Sequence, residues 1–600
     1  MGIIVVPSAK EFKDIFKLMK VKNNMLTKYA KKYSKFIVAQ LIFASIWVFS
    51  QLMIPRLMVD IVDSGIMIKD MNAIVHRGVL MLLATVLNIA SLMVSIYFLV
   101  KVTAGISRDL RADLFEKVVD WSKETRTGFS NSTLITRTVN DVKQVASLID
   151  LSLRKIFTLT ITVMGALIVS FSLDAKLASI ILIIIPAIFI LGLFLTTRAL
   201  PQYSRVRLSI DRINQLFREN IRGIRVIRAF NKSDYEVKEF KKATEDTYEA
   251  NVKSESTMML LSPLILLLTN ILILVILFMG AGRAQADTIK LGVLIGLIEY
   301  AAISLRNIQE FASIITIIPR SKVSIDRISE VLSREELLKV KEDSLEPDER
   351  GIRGINFRDI DFYYPGSHRA TLKNLTFHLG EGETKAIIGS TGSGKSTVLK
   401  LLLRDYDAYK GRICLNGKSI QTLKREEINQ MVTFIPQSSF LFSGSIRENI
   451  QTGKKDADDK EIWEVLDRVQ MGDFFRKSPE GLNTHIAQNA VNLSGGQKQR
   501  ISIARGLIRE SDFYIFDDCF SALDYSTEKK IREAIREKLA GRGILVVAQR
   551  VATVRDADEI LVLEKGEISD RGSHEELAES SEIYKEILAS QLKSQEGEIR

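Results

Sequence analysis

The chain of 600 residues is too long for a single hydrophobic core, so at least two domains are expected. It is 46% hydrophobic and 26% charged, with apolar residues concentrated before about residue 320 and charges dense after it. Two cysteines, Cys414 and Cys519, exclude a disulfide framework and point to a reducing compartment for the C-terminal half, and the net charge of +11 lies largely beside apolar segments, which argues against a nucleic-acid partner.

Residues 1–35 are rich in lysine. Phe12, Ile15, Phe16 and Met19, interleaved with Lys10, Lys13, Lys17 and Lys20, have the spacing of a helix lying in a membrane interface; a disordered basic tail is the alternative. Residues 1–30 lack the long apolar run and small-residue cleavage site of a signal peptide. Six spans of the lipid bilayer are then expected: Phe36–Pro55, Gly78–Val100, Ile156–Leu173, Leu177–Thr197, Ser256–Gly282 and one beginning after Lys290. Only Asp174, Ala175 and Lys176 separate the third from the fourth, which predicts a tight hairpin. Helices buried in a soluble core are rarely free of charge for so many turns.

Lys and Arg crowd the N-terminal segment and the connections 101–155 and 198–255. The positive-inside bias therefore puts both termini and these connections in the cytoplasm, with the chain multi-pass in the cytoplasmic membrane. Both connections keep helical periodicity, as in Leu110 with Leu114 and Ile224 with Ile227, and break at Gly128–Ser132 and Phe230–Ser233. In the sixth span Glu299, Arg306 and Glu310 share one helical face. Ionisable groups at such depth face a bundle interior or an aqueous cavity, so Glu299, about 16 Å into the span, and Arg306 are candidate substrate-cavity residues. An Arg306–Glu310 ion pair near the cytoplasmic end is the alternative.

Lys339–Gly354 is charged and lacks apolar periodicity, as a linker does. The expected division is a cytoplasmic segment 1–35, a membrane domain 36–325 with long helical extensions, a linker 326–352 and a second domain 353–600. In that domain a β-like run, Lys385–Ile388, leads into Gly389, Ser390, Thr391, Gly392, Ser393, Gly394, Lys395, Ser396 and Thr397, and an apolar helical run follows. Strand, glycine loop and helix in that order are the phosphate-binding P-loop context. Backbone N–H groups curl around phosphate oxygens, Lys395 reaches the β- and γ-phosphates, and the Ser396 hydroxyl ligates Mg²⁺. Phe513–Asp517 is an apolar strand ending in an acid, the Walker B arrangement in which Asp517 holds Mg²⁺. Ser494, Gly495, Gly496 and Gln497, after Leu493, stand at an expected helix N-terminus, where free N–H groups and the macrodipole favour a phosphate.

With these motifs the chain resembles the half-transporters of the ATP-binding-cassette (ABC) exporter family over nearly its full length. The resemblance implies a fold: an α-helical polytopic membrane domain of six transmembrane helices, type I/IV exporter-like, followed by an α/β P-loop NTPase domain. It also implies ATP and Mg²⁺ as cofactors. Tyr364 would stack on adenine, and Gln437 would contact Mg²⁺ and sense the membrane domain. Ser521–Asp524 would be the D-loop, and tips near 129–133 and 230–236 would be the coupling helices. Two such chains meet head to tail, so each ATP lies between one P-loop and the other chain's signature.

Three positions depart from the family pattern. Asp518 stands where a glutamate usually polarises the attacking water, and Gln549 replaces the switch histidine. Ile486–Ala490 replaces the usual glycine-glutamate segment before the signature. Altered hydrolytic residues beside an intact signature resemble the degenerate-site subunit of bacterial heterodimeric multidrug exporters. On that reading the chain's own site binds ATP and hydrolyses it poorly, and its signature completes a competent site on a second half-transporter. The alternatives are a homodimer with two slow sites and an ATP-gated channel or regulator. Apolar spans with few charges suit hydrophobic or amphipathic cargo, drugs or lipids.

Overall fold

The structure, a computed structural model, describes residues 23–286, 288–309, 311–340 and 353–598. The amphipathic stripe Phe12–Met19 and Glu310 lie outside the described residues. The chain divides into two compact units, one of Met1–Val119 with Phe129–Arg334, the other of Asp120–Gly128 with Glu335–Arg600.

The first unit is helical. Among the described residues five helices are long and apolar enough to cross a membrane: Ser34–Ile66, Met71–Val119, Asn131–Leu173, Ala175–Ala229 and Ser233–Gln285. Each carries one of the first five expected spans, and the sixth coincides with the helix Leu291–Gln309. The hairpin between the third and fourth is tighter than expected. Asp174 alone breaks the helix, in extended conformation, and its side chain caps the next helix by accepting the Leu177 N–H at 2.9 Å.

Close approach of the spans depends on glycines in the sixth. A Cβ on Gly292 would stand 2.5 Å from the Val59 carbonyl oxygen, and one on Gly296 2.4 Å from the Val59 side chain. On the same helix the buried Tyr300 donates its hydroxyl to the Leu52 carbonyl at 2.6 Å. That bond satisfies a polar group in apolar surroundings. Beyond the spans, the helix Phe311–Ser333 buries Ile328 and Val331 near its end.

The two long connections differ in how they turn. The second breaks between Ala229 and Ser233, as expected, with Asn231 at φ 50°. The first breaks where Gly128–Ser132 was expected to break it, with Gly128 at φ 97° and helix resuming at Asn131; a short helix, Lys123–Arg126, precedes the break. The reason is local capping: Ser122 caps the short helix through Thr125 N–H, and Ser130 caps the following one through Thr133 N–H. Within the second unit Glu336 holds this segment, accepting from Ser122 N–H (2.8 Å), Ser122 Oγ (2.6 Å) and Thr125 Oγ1 (2.6 Å).

The second unit is built on two main sheets. The strands are β1 (Ile355–Phe362), β2 (Leu372–Leu379), β3 (Thr384–Ile388), β4 (Lys410–Leu415), β5 (Lys418–Ser419), β6 (Val432–Ile435), β7 (Gly444–Ser445), β8 (His485–Ile486), β9 (Phe513–Asp517), β10 (Gly543–Ala548), β11 (Glu559–Glu564) and β12 (Glu567–Gly572). An antiparallel sheet has the order β2-β1-β4-β5, and a larger one the order β12-β11-β3-β10-β9-β6. In the larger sheet all neighbours are parallel except the edge strand β12. Its central strands read as nearly unbroken apolar runs, such as Phe513–Phe516, because both faces are covered.

The glycine contacts generate a test of sign. Gly292→Ala should destabilise the purified protein by about 1–3 kcal/mol, since the added methyl meets backbone. Gly78→Ala, where an added Cβ meets nothing within 4 Å, should be neutral or slightly stabilising. Thermal unfolding of the two variants in the same detergent checks the contrast.

Candidate nucleotide site

Four parallel strands, β3, β10, β9 and β6, lie side by side, and each delivers one candidate segment from its C-terminal end. β3 leads to the glycine loop, β10 to Gln549, β9 ends on Asp517 and is followed by Asp518, and β6 leads to Gln437. Open parallel sheets place ligands at this edge.

The glycine loop fits closely over the sheet. A Cβ on Gly389 would stand 2.2 Å from the Leu563 carbonyl oxygen, so only glycine leaves β3 here. Gly394, at φ 111°, is the N-cap of the helix Lys395–Leu402 and makes no side-chain cap, leaving the first N–H groups of that helix without one. Lys395 folds back over the loop, donating to Gly389 O at 2.6 Å and Ser390 O at 2.8 Å. Burial holds its ammonium below the usual lysine range, against the opposing pull of Asp518 and Asp517. The Ser393 hydroxyl is buried and has no hydrogen-bond partner. An orphaned hydroxyl, uncapped N–H groups and a lysine beside two acids fit a magnesium nucleotide. Thr391 and Gly392 are exposed on the loop, and Ser396 is exposed in the first turn of the helix.

Tyr364 sits beside the helix that follows the loop. Its hydroxyl lies 3.1 Å from Thr397 Oγ1 and accepts from Lys400 Nζ at 3.1 Å, and the Lys400 ammonium stands 5.2 Å above its ring. Edge contacts with Phe362 and Tyr406 fix the ring plane.

Asp518, Gln437 and Gln549 come from three strands and meet at one oxygen. Asp518 Oδ2 accepts from Gln437 Nε2 at 3.0 Å and from Gln549 Nε2 at 3.4 Å. The Asp518 backbone is left-handed, at φ 45°, and its N–H donates to Val547 O at 2.7 Å. Burial raises both acids above the usual aspartate range; for Asp517 the neighbouring Asp518 charge adds to it, while the Gln437 amide pulls Asp518 the other way.

The signature lies apart from this cluster. Ser494 and Gln497 form a reciprocal capping box at the start of the helix Gly495–Leu507: Ser494 Oγ accepts from Gln497 N–H at 3.3 Å, and Gln497 Oε1 accepts from Ser494 N–H at 2.8 Å. Gly495 and Gly496 face Ala522. Among the described residues none of these four hydrogen-bonds the glycine loop. Sequence reasoning missed Gln499, whose buried carboxamide accepts from Ala522 N–H at 3.0 Å and so fastens Ser521–Asp524 to the signature helix. Two residues after Gln497 on the same helix, it carries no signal in the sequence that separates it from any other helical glutamine. In Ile486–Ala490, Asn489 and Ala490 take positive φ, and Asn489 O accepts from Lys498 Nζ at 3.0 Å. In the helical unit Glu299 and Arg306 are both exposed on the helix Leu291–Gln309.

The raised Asp518 carboxyl gives a pH prediction. A carboxyl whose pKa rises on folding contributes stability in its neutral form, and loses it as pH rises through the folded value. Asp518→Asn is neutral at every pH and tolerates positive φ. It should raise the unfolding temperature of the nucleotide-free protein at neutral pH. The gain should shrink toward zero as pH falls through the carboxylate range, as read by thermal scans across pH.

Comparison with known proteins agrees with this geometry. Residues 37–308 match the ABC transporter transmembrane region family, and residues 372–521 match the ABC transporter family. The chain is 36% identical over 542 residues to the uncharacterized ABC transporter ATP-binding protein YfiB of Bacillus subtilis, covering 90% of this chain and 94% of the relative. It is 31% identical over 571 residues to the uncharacterized ABC transporter ATP-binding protein MT1311 of Mycobacterium tuberculosis, covering 94% and 98%. Its fold is similar to the solved structure of a bacterial Atm1-family ABC exporter with ATP bound, with a TM-score of 0.76 at 21% identity, covering 94% of this chain and 99% of that one. A helical membrane unit and a P-loop ATPase unit joined in one chain, with relatives of matching length, place this protein in the ABC transporter family, with the fold of an ABC exporter.

Proposed function

We propose that this chain is one half of a dimeric, ATP-driven exporter of the cytoplasmic membrane, whose own P-loop site holds ATP and hydrolyses it slowly. The observation that carries the reading is the environment of Asp518. An aspartate, not a glutamate, follows the Walker B acid, and one of its oxygens already accepts from Gln437 and Gln549.

The roles follow from placement. Tyr364 offers its ring to adenine beside the loop helix. Lys395 exchanges the Gly389 and Ser390 carbonyls for phosphate oxygens, which relieves its burial with a stronger, charge-assisted partner. Ser396, Asp517 and Gln437 are the residues that would hold Mg²⁺, which when bound neutralises charge on the phosphates. The Asp518 carboxylate is one methylene shorter than glutamate and so falls about 1–1.5 Å short of the water to be polarised; misplacement on that scale costs around a hundredfold. Gln549 donates a hydrogen bond toward the γ-phosphate position and carries no positive charge.

The signature belongs to a second chain's nucleotide in this reading. Ser494, Gly495, Gly496 and Gln497 are outside hydrogen-bond reach of this chain's own loop and present a capped helix start. A partner with Glu and His at the positions of Asp518 and Gln549 supplies the competent site. Cargo is hydrophobic or amphipathic, and the exposed Glu299 within an apolar span favours cationic compounds.

Purified alone, the chain should show little ATPase activity, and co-expression with the half-transporter encoded beside it should restore turnover. Robust turnover by the lone chain, abolished by Asp518→Ala, would establish the homodimer instead. In the pair, Asp518→Glu should speed hydrolysis at this site by ten- to a hundredfold; an unchanged rate would remove side-chain length as the cause. Glu299→Gln should reduce export of cationic dyes in vesicles and spare neutral ones, and equal export of both would exclude the residue from cargo selection.

A further inference from the structure

The C-terminal helix, Glu582–Glu598, carries Tyr584, Ile587, Leu588 and Gln591 at the i, i+3, i+4, i+7 spacing of one face. The first three are apolar and pack into a core with Ala386 and Ile388 of β3, Ala548 of β10, and Val551 and Val554. Tyr584 is fully buried, with its hydroxyl 2.8 Å from His574 Nδ1. The helix is thus anchored against both the strand that feeds the glycine loop and the strand that feeds Gln549. Gln591 is the polar member of this otherwise apolar stripe.

Its carboxamide spans the switch segment. Gln591 Nε2 donates to the Gln549 carbonyl at 2.7 Å, and Gln591 Oε1 accepts from the Val551 N–H at 2.9 Å. Val551 opens the short helix Val551–Val554, whose N-cap residue Arg550 supplies no side-chain cap. A side chain forty residues away in sequence therefore does what a local cap normally does. At the same time it fixes the carbonyl of the residue whose own amide reaches Asp518.

We propose that Gln591 is a positioning residue that locks the backbone at 549–551, so that the C-terminal helix sets how firmly the site retains its nucleotide. The inference rests on Gln549 standing at the γ-phosphate position. It does not depend on whether the partner chain is a second copy or a different half-transporter.

The test uses the assembled transporter with Gln591→Leu, an apolar replacement that suits its stripe and preserves the fold, and Gln591→Glu, which keeps the acceptor for Val551 N–H and loses the donor to Gln549 O. Two quantities are measured: amide hydrogen exchange across 549–554 without nucleotide, and the dissociation rate of radiolabelled ATP with Mg²⁺. Gln591→Leu should speed exchange at Val551 about tenfold and shorten ATP retention severalfold, and Gln591→Glu should shorten retention while sparing Val551 protection. In a Gln549→Ala background Gln591→Leu should add nothing further to ATP loss. Unchanged exchange in Gln591→Leu overturns the inference whatever the nucleotide data. Faster exchange with normal retention, or a loss additive with Gln549→Ala, overturns it as well. If Gln549→Ala alone leaves retention unchanged, the γ-phosphate role of Gln549 fails, and exchange at Val551 still decides whether Gln591 holds the loop.

Discussion

Register within the parallel sheet governs the site. β10 pairs with β3 so that Ala548 faces Ile388, and with β9 so that Val547 faces Asp517. These pairings bring the strand ends level, and the Asp518 N–H continues the ladder by one bond to Val547 O. A slip of one residue would turn each side chain to the opposite face and part Asp518 from Gln549. The apolar runs that cover both faces of the sheet hold this register, so the chemistry at its edge depends on a core that contains none of it.

At that edge the protein accepts arrangements it avoids elsewhere. Two adjacent acids and a lysine are drawn out of water, and burial opposes the charged form of all three. Asp518 adopts a left-handed backbone, and the Ser393 hydroxyl is buried without a partner. On the proposed reading a magnesium nucleotide satisfies these groups together, which accounts for conflicts that would otherwise cost stability concentrating here. The hydrophobic cluster that joins Ile388, Ala548 and Val551 to the C-terminal helix is the counterweight, because it holds the loop and the switch segment against the same support.

The helical unit solves a different problem with the same economy. Its spans gain little from hydrophobic burial against one another, so they pack through small residues and pair their polar groups internally. Gly292 and Gly296 let the sixth span approach Val59, and Tyr300 gives its hydroxyl to a carbonyl of the first span. Asp174 both turns the third span into the fourth and receives Arg283 from the end of the fifth, with contacts of 2.9 and 2.7 Å.

Sequence alone determined the two-part architecture and the long apolar helices of the membrane unit, and it picked out the loop, acid and signature segments as candidates. These depend on local features: uncharged length, periodicity, and glycines and acids at fixed spacing. It also singled out Gln437, Asp518 and Gln549 individually. Only the tertiary structure decided that a single carboxylate oxygen serves both amides, because Gln437 and Gln549 reach Asp518 from different strands. Tertiary structure also decided the short helix Lys123–Arg126 ahead of the expected break, because Ser122 caps it and Glu336 gathers the Ser122 and Thr125 hydroxyls, a contact more than two hundred residues away in sequence. Gln499 and Gln591 were equally hidden. A glutamine on a helix carries no sign of function in one dimension, and its meaning is set by which backbone groups the fold brings within about 3 Å of its amide.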